Sequence, residues 1–90
     1  MYMKEAKFMI GNALGIHARP AAEIAKIASQ FESIITLFGN DRKANAKSLL
    51  MIMSMGVKNS QELTVSTDGK DENEAIEALS QLISNNFYEN

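Results

Sequence analysis

From Lys4 to Ile10 the chain alternates, with Ala6, Phe8 and Ile10 on one face and Glu5, Lys7 and Met9 on the other. A period of two predicts a half-buried strand. Gly11, Asn12 and Gly15 are turn residues and mark Gly11 to Ile16 as a loop. From Ala18 to Phe31 the period changes. Ala21, Ile24, Ala25, Ala28 and Phe31 recur at helical spacing, and Glu23, Lys26 and Gln30 cover the other face. Pro20 fits the first turn, where a missing N–H costs nothing, so this helix starts within a residue or so of His17. Ser33 to Phe38, rich in β-branched and aromatic residues, predicts a second strand. Gly39-Asn40-Asp41 turns the chain, and Arg42 to Ala46 returns as a third strand with Ala44 and Ala46 inward. The propensity of that strand is weak, and the hairpin context carries it.

Ser48 to Met55 predicts a helix too short to be stable alone, capped by Ser48 and stopped by Gly56. Leu63 to Thr67 alternates again as a fourth strand, closed by Asp68-Gly69. Asp71 is expected to cap the last helix, with Glu74 three residues later in a capping box. Ala75, Ile76, Leu79, Leu82, Ile83 and Phe87 form its apolar stripe. The order is β-α-β-β-α-β-α, an α+β pattern. The economical arrangement is one antiparallel sheet covered on one face by the helices, with Met9, Ile34 and Phe38 on the far face.

Ninety residues predict a single domain over 1–90 with one modest core. The net charge of −2 implies no basic field for nucleic acid. The absence of cysteine excludes disulfides and cysteine-based metal or redox sites and is compatible with the cytosol. The longest strictly apolar run, Leu49 to Met53, is far too short to span a membrane, and the N-terminal Met1 to Glu5 has no apolar signal core. One histidine cannot build an ordinary zinc site, the acidic residues do not match a calcium loop, and no glycine-rich nucleotide loop is present. No metal or cofactor is expected.

The chemistry collects in Gly15-Ile16-His17-Ala18-Arg19-Pro20-Ala21, which holds the only histidine and the only proline. At a helix start the first backbone N–H groups lack intrahelical partners and favour an anion. The same field favours the neutral, nucleophilic imidazole. A ring nitrogen can accept a phosphoryl group, and Arg19 can form a fork on phosphate. The alternatives are structural: His17 as a surface cap, and Arg19 paired with Glu23 one turn on. Ser48 reads first as an N-cap. Its second reading is a regulatory phosphorylation site, favoured by Lys47 and the adjacent helix start. Leu49 to Met55 is apolar nearly all round, broken only by Ser54. Some of these side chains must face solvent or a partner, and methionine suits adaptable contacts.

These residues resemble the HPr family, the histidine-containing phosphocarriers of the bacterial phosphotransferase system. The resemblance covers essentially the whole chain. It rests on Gly15 to Ala21, on Ala46-Lys47-Ser48-Leu49-Leu50 followed by Met53-Ser54-Met55-Gly56, and on Gly69-Lys70-Asp71-Glu72. It implies an open-faced β-sandwich with sheet order 1-4-2-3 and three helices on one face. It implies that His17 accepts a phosphoryl group on Nδ1 from enzyme I, which draws on phosphoenolpyruvate, and gives it to enzyme IIA domains, with Arg19 at the phosphate. Ser48 matches the regulatory serine phosphorylated by HPr kinase/phosphorylase in lineages that have one. Ala18, Ala22, Lys26, Leu49, Leu50 and Met53 match the docking surface for enzyme I and IIA.

The resulting expectation is a monomeric, cytoplasmic, stoichiometric carrier that is not itself an enzyme. Leu14 before the glycine, and Met51 where many regulatory relatives carry glycine, keep a second reading open. That reading is a regulatory interaction module of a nitrogen-related or incomplete phosphotransferase system, with Ser48 phosphorylation as its state variable. A small catalytic domain with His17 as acid or base ranks below both, because the motif holds no second catalytic group.

Overall fold

The first alternating stretch forms β1, Lys4–Met9. Ile10 falls just past the strand but is buried, and its N–H donates to the Gln61 carbonyl at 2.9 Å. The computed structural model describes residues 3–89. Met1, Tyr2 and Asn90, which belong to the single-domain and N-terminal expectations, lie outside the described residues.

Helix α1 spans Ala18–Ala28, then β2 Ile34–Gly39, β3 Arg42–Asn45, α2 Leu49–Ser54, β4 Glu62–Asp68 and α3 Glu72–Ser84. The four strands form one antiparallel sheet in the order β1-β4-β2-β3, and three helices cover one face, as the resemblance implies. The β2–β3 hairpin turns through Asn40 (φ 53°) and Asp41 (φ 60°). Two central residues with positive φ match the right-handed twist of the flanking strands. The inward faces supply Ile35, Leu37, Ala44, Leu63 and Val65 to a core completed by Ile24, Ala28, Leu79, Leu82 and Ile83 from the helices. Met9, Ile34 and Phe38 lie exposed on the other face, as the alternation predicts.

Helix α1 is shorter than the periodicity predicts. It ends at Ala28, and Gln30 and Phe31 continue with turn-like bonds to Ile27 and Ala28. Phe31 keeps its place in the apolar stripe because a turn still directs its ring onto the core. Likewise Phe87 is buried from a 3₁₀ turn, Asn86–Tyr88, beyond α3 and not from the helix itself.

The expected Asp71–Glu74 capping box does not form. Asp71 is at the N-cap position of α3 without a side-chain cap bond. Its carboxylate instead accepts from the Glu32 N–H at 2.8 Å, the Ser33 N–H at 3.0 Å and the Ser33 hydroxyl. Glu72 takes over the local role, accepting from the Gly69 N–H at 3.0 Å. Asp71 thereby ties the start of α3 to the start of β2.

The Ser33 hydroxyl is the main cause that holds the Asp71 carboxyl below its ordinary value of 3.8, followed by the Glu32 N–H, while burial opposes the shift. A folded value below the unfolded one gives stability that is present above the unfolded value and lost as pH falls through the folded one. Urea midpoints measured from pH 6 downward should therefore drop more steeply for the parent chain than for Asp71→Asn below about pH 4. Parallel curves would remove Asp71 as an acid-sensitive tie.

Candidate functional site

His17 occupies the N-cap position of α1 (φ −82°, ψ −168°), and its side chain makes no cap hydrogen bond. The first i to i−4 bond of the helix runs from the Ala21 N–H to the His17 carbonyl at 3.0 Å. The N–H groups of Ala18 and Arg19 precede that bond, and Pro20 has none. Helix geometry therefore leaves a small open cluster of donors beside the ring. About a third of the His17 side chain is exposed, 33%. The ring is held, yet open to a partner.

Gly15 sets the entry to this position. Its φ is +67°, and a Cβ there would fall 2.6 Å from both the Lys58 Cα and the Val57 carbonyl oxygen. The loop is pinned to the neighbouring segment by the Ile16 N–H, which donates to the Val57 carbonyl at 2.9 Å. Only a residue without a side chain admits that approach.

The ring nitrogen Nε2 is already engaged. It lies 3.1 Å from Glu89 Oε2 and 3.3 Å from Glu89 Oε1. Asn12 Nδ2 donates to Glu89 Oε1 at 3.0 Å and to the Gly15 carbonyl at 2.6 Å. Among the described residues Nδ1 has no hydrogen-bond partner. Arg19 is exposed, and among the described residues no hydrogen bond or ion pair engages its guanidinium, so the alternative pairing with Glu23 is not formed. Arg19, His17, Asn12 and Glu89 border one shallow depression of about 340 Å³. A larger hollow of about 660 Å³ lies at the β2–β3 hairpin and shares no residue with the histidine loop.

Ser48 lies outside the depression, at the N-cap of α2, where its hydroxyl accepts from the Met51 N–H at 3.2 Å. The capping expectation is met. The expected help from Lys47 is not free, because its ammonium donates to the Phe31 carbonyl at 2.7 Å. That carbonyl follows α1, where a cation suits the negative helix end.

Ala18, Ala22 and Lys26 are exposed on α1, and Leu49, Leu50 and Met53 are exposed on α2, which packs against α1. Of Leu49 to Met55, only Ile52 and Met55 enter the core, while Leu50 is 80% exposed. The apolar excess in that segment is therefore mostly surface. Met51 in the same segment is 45% exposed, and Leu14 in the histidine loop is 74% exposed. Asn12, Tyr88 and Glu89 also line the depression, and no sequence motif marks them as site residues. Glu89 stands 72 residues from His17, and no local pattern marks it.

The family model described as "PTS HPr component phosphorylation site" matches residues 4–85. The phosphocarrier protein HPr of Mycoplasma capricolum is 44% identical over 80 residues, covering 87% of this chain and 90% of its own. The crystal structure of HPr-C-His from Thermoanaerobacter tengcongensis superposes with a TM-score of 0.90 at 45% identity, covering 97% of this chain and 98% of that one. A second structure from that organism, described as an HPr dimer, gives 0.76 at the same 45% identity, covering 96% and 99%.

Proposed function

The chain belongs to the HPr family of phosphotransferase-system phosphocarriers, and from that premise we propose that His17 Nδ1 is its phosphoryl acceptor and donor. The observation that carries this reading is a partly exposed histidine at a helix N-cap whose side chain is not spent on capping. Its neutral ring attacks phosphorus through Nδ1. The open N–H groups of α1 and the exposed Arg19 balance the negative charge that arrives. The bound group stays near the surface, so it passes on to a second protein. The donor is phospho-enzyme I, charged from phosphoenolpyruvate, and the acceptors are enzyme IIA domains. The chain acts as one domain over 1–90, as a carrier consumed and regenerated in stoichiometric turns. His17, Arg19, Asn12 and Glu89 all come from one copy of the chain, which supports a monomeric carrier. These partners work in the cytoplasm. Among the described residues no helix is long and apolar enough to cross a membrane.

Incubation with enzyme I and phosphoenolpyruvate tests the reading. One phosphate per chain is expected, acid-labile and alkali-stable, on the peptide that holds His17. Phosphate on another residue, or none, overturns it.

Docking falls to Ala18, Ala22, Lys26, Leu49, Leu50 and Met53. Their exposure on two helices that pack against each other, one of them starting at His17, supports this, since exposed apolar side chains suit a partner surface. Ser48 is the regulatory residue, a target for an ATP-dependent HPr kinase. Its place at the head of α2, amid the docking residues, supports that role. A phosphate there would repel the phosphate arriving at His17 from enzyme I. Ser48→Asp is expected to weaken enzyme I docking, read as a higher dissociation constant by calorimetry. An unchanged constant would count against repulsion as the mechanism. Ser48→Ala should lose all acid-stable labelling by an HPr kinase and ATP. It should also cost about 1 kcal/mol of stability through the lost cap.

A further inference from the structure

We propose that Glu89 is a positioning residue for phosphoryl transfer: its carboxylate keeps the proton of His17 on Nε2, so that Nδ1 presents the lone pair. This rests on the reading of His17 as the phosphoryl acceptor. A carboxylate only accepts hydrogen bonds, so an imidazole facing one must place its N–H toward it. Glu89 meets Nε2 through both oxygens, at 3.1 and 3.3 Å. Its own side chain is only 13% exposed.

The carboxylate is itself held. Asn12 Nδ2 donates to Glu89 Oε1 and to the Gly15 carbonyl, and both partners are acceptors, which settles the orientation of that amide. Asn12 is buried, so the loop that carries the histidine also carries the anchor for its partner.

The route of the chain to this contact is specific. After α3 ends at Ser84, Asn86, Phe87 and Tyr88 take left-handed backbone angles of 52°, 59° and 58°. Residues with side chains adopt such angles at a cost. Burial of Phe87 offsets it and swings the following residues back across the histidine loop. The Asn86 side chain reaches back to the histidine loop, where its Oδ1 lies close to Gly11.

The chemistry follows from the tautomer. As the Nδ1–phosphorus bond forms, the bond from phosphorus to the donor breaks, and its electron pair stays with the donor. No proton has to leave Nδ1. The ring keeps its Nε2 proton and becomes cationic, facing the Glu89 carboxylate. On onward transfer the Nδ1–phosphorus electron pair returns to the ring and the neutral Nε2–H form is restored. Glu89 touches the ring and not the transferred group, so it acts through His17.

Two variants test this, Glu89→Ala and the isosteric Glu89→Gln. Nitrogen-15 shifts of the His17 ring are read at about pH 9, where imidazoles are neutral. The parent chain should show the Nε2–H tautomer alone, and both variants a measurable share of Nδ1–H. Phosphoryl acceptance from phospho-enzyme I should lose about tenfold in kcat at unchanged KM, as when a carboxylate orienting a metal-bound imidazole is removed. Unchanged nitrogen shifts overturn the proposal, and so does an altered tautomer ratio with unchanged kcat. If the parent chain takes no phosphate on His17, the acceptor reading fails, while the nitrogen shifts still decide whether Glu89 sets the tautomer.

Discussion

His17→Ala should reduce phosphate transfer from phospho-enzyme I to background, a loss of at least about 10³-fold, with the fold unchanged. The large effect follows from covalent chemistry, because no other imidazole exists in the chain to take the group. The fold should survive because the ring makes no cap bond and is open to solvent on one side. Gel-shift or intact-mass measurement after incubation with enzyme I and phosphoenolpyruvate gives the yield. Circular dichroism and a urea midpoint check the fold. Labelling of the variant to the parent's extent would remove His17 from the reaction.

Gly15→Ala should destabilise the domain by about 2–4 kcal/mol, combining left-handed backbone strain with a steric clash. The added methyl would meet backbone, the Lys58 Cα and the Val57 carbonyl, both at 2.6 Å, so no side-chain rotation relieves it. The loop must shift, and the Ile16 to Val57 hydrogen bond goes with it. The urea midpoint should fall with the denaturant slope unchanged. Acceptance by His17 should fall as well, because the shifted loop misplaces the ring and the Gly15 carbonyl that anchors Asn12. A midpoint within experimental error of the parent would show that the loop has a second arrangement free of the contact.

The elements were legible because each depends on residues close in sequence. Period-two alternation placed β1 and β4, and the i, i+3, i+4 stripe placed α1 and α3. Boundaries were less so. Ala18 to Phe31 reads as one stripe, yet the helix stops at Ala28 because a turn serves Phe31 equally well. Asp71 shows the limit more sharply. Its spacing to Glu74 satisfies the capping-box pattern, but Ser33 and the Glu32 N–H, 38 and 39 residues away, offer the carboxylate more bonds. A local motif of about 1 kcal/mol is readily outbid by a tertiary one.

Sequence by itself determined the helix start at His17, the arginine two residues on, the Ser48 cap and the surplus of apolar residues in α2. Each of these is set by neighbours within a turn or two. Tertiary structure alone decided which of the α2 residues face solvent, that the Lys47 ammonium goes to Phe31, and that Glu89 closes on Nε2. Those outcomes depend on the path of the chain after α3 and on how α1 and α2 pack. The contact between His17 and Glu89 exists because the burial of Phe87 turns the backbone, a consequence of the whole core that periodicity cannot express.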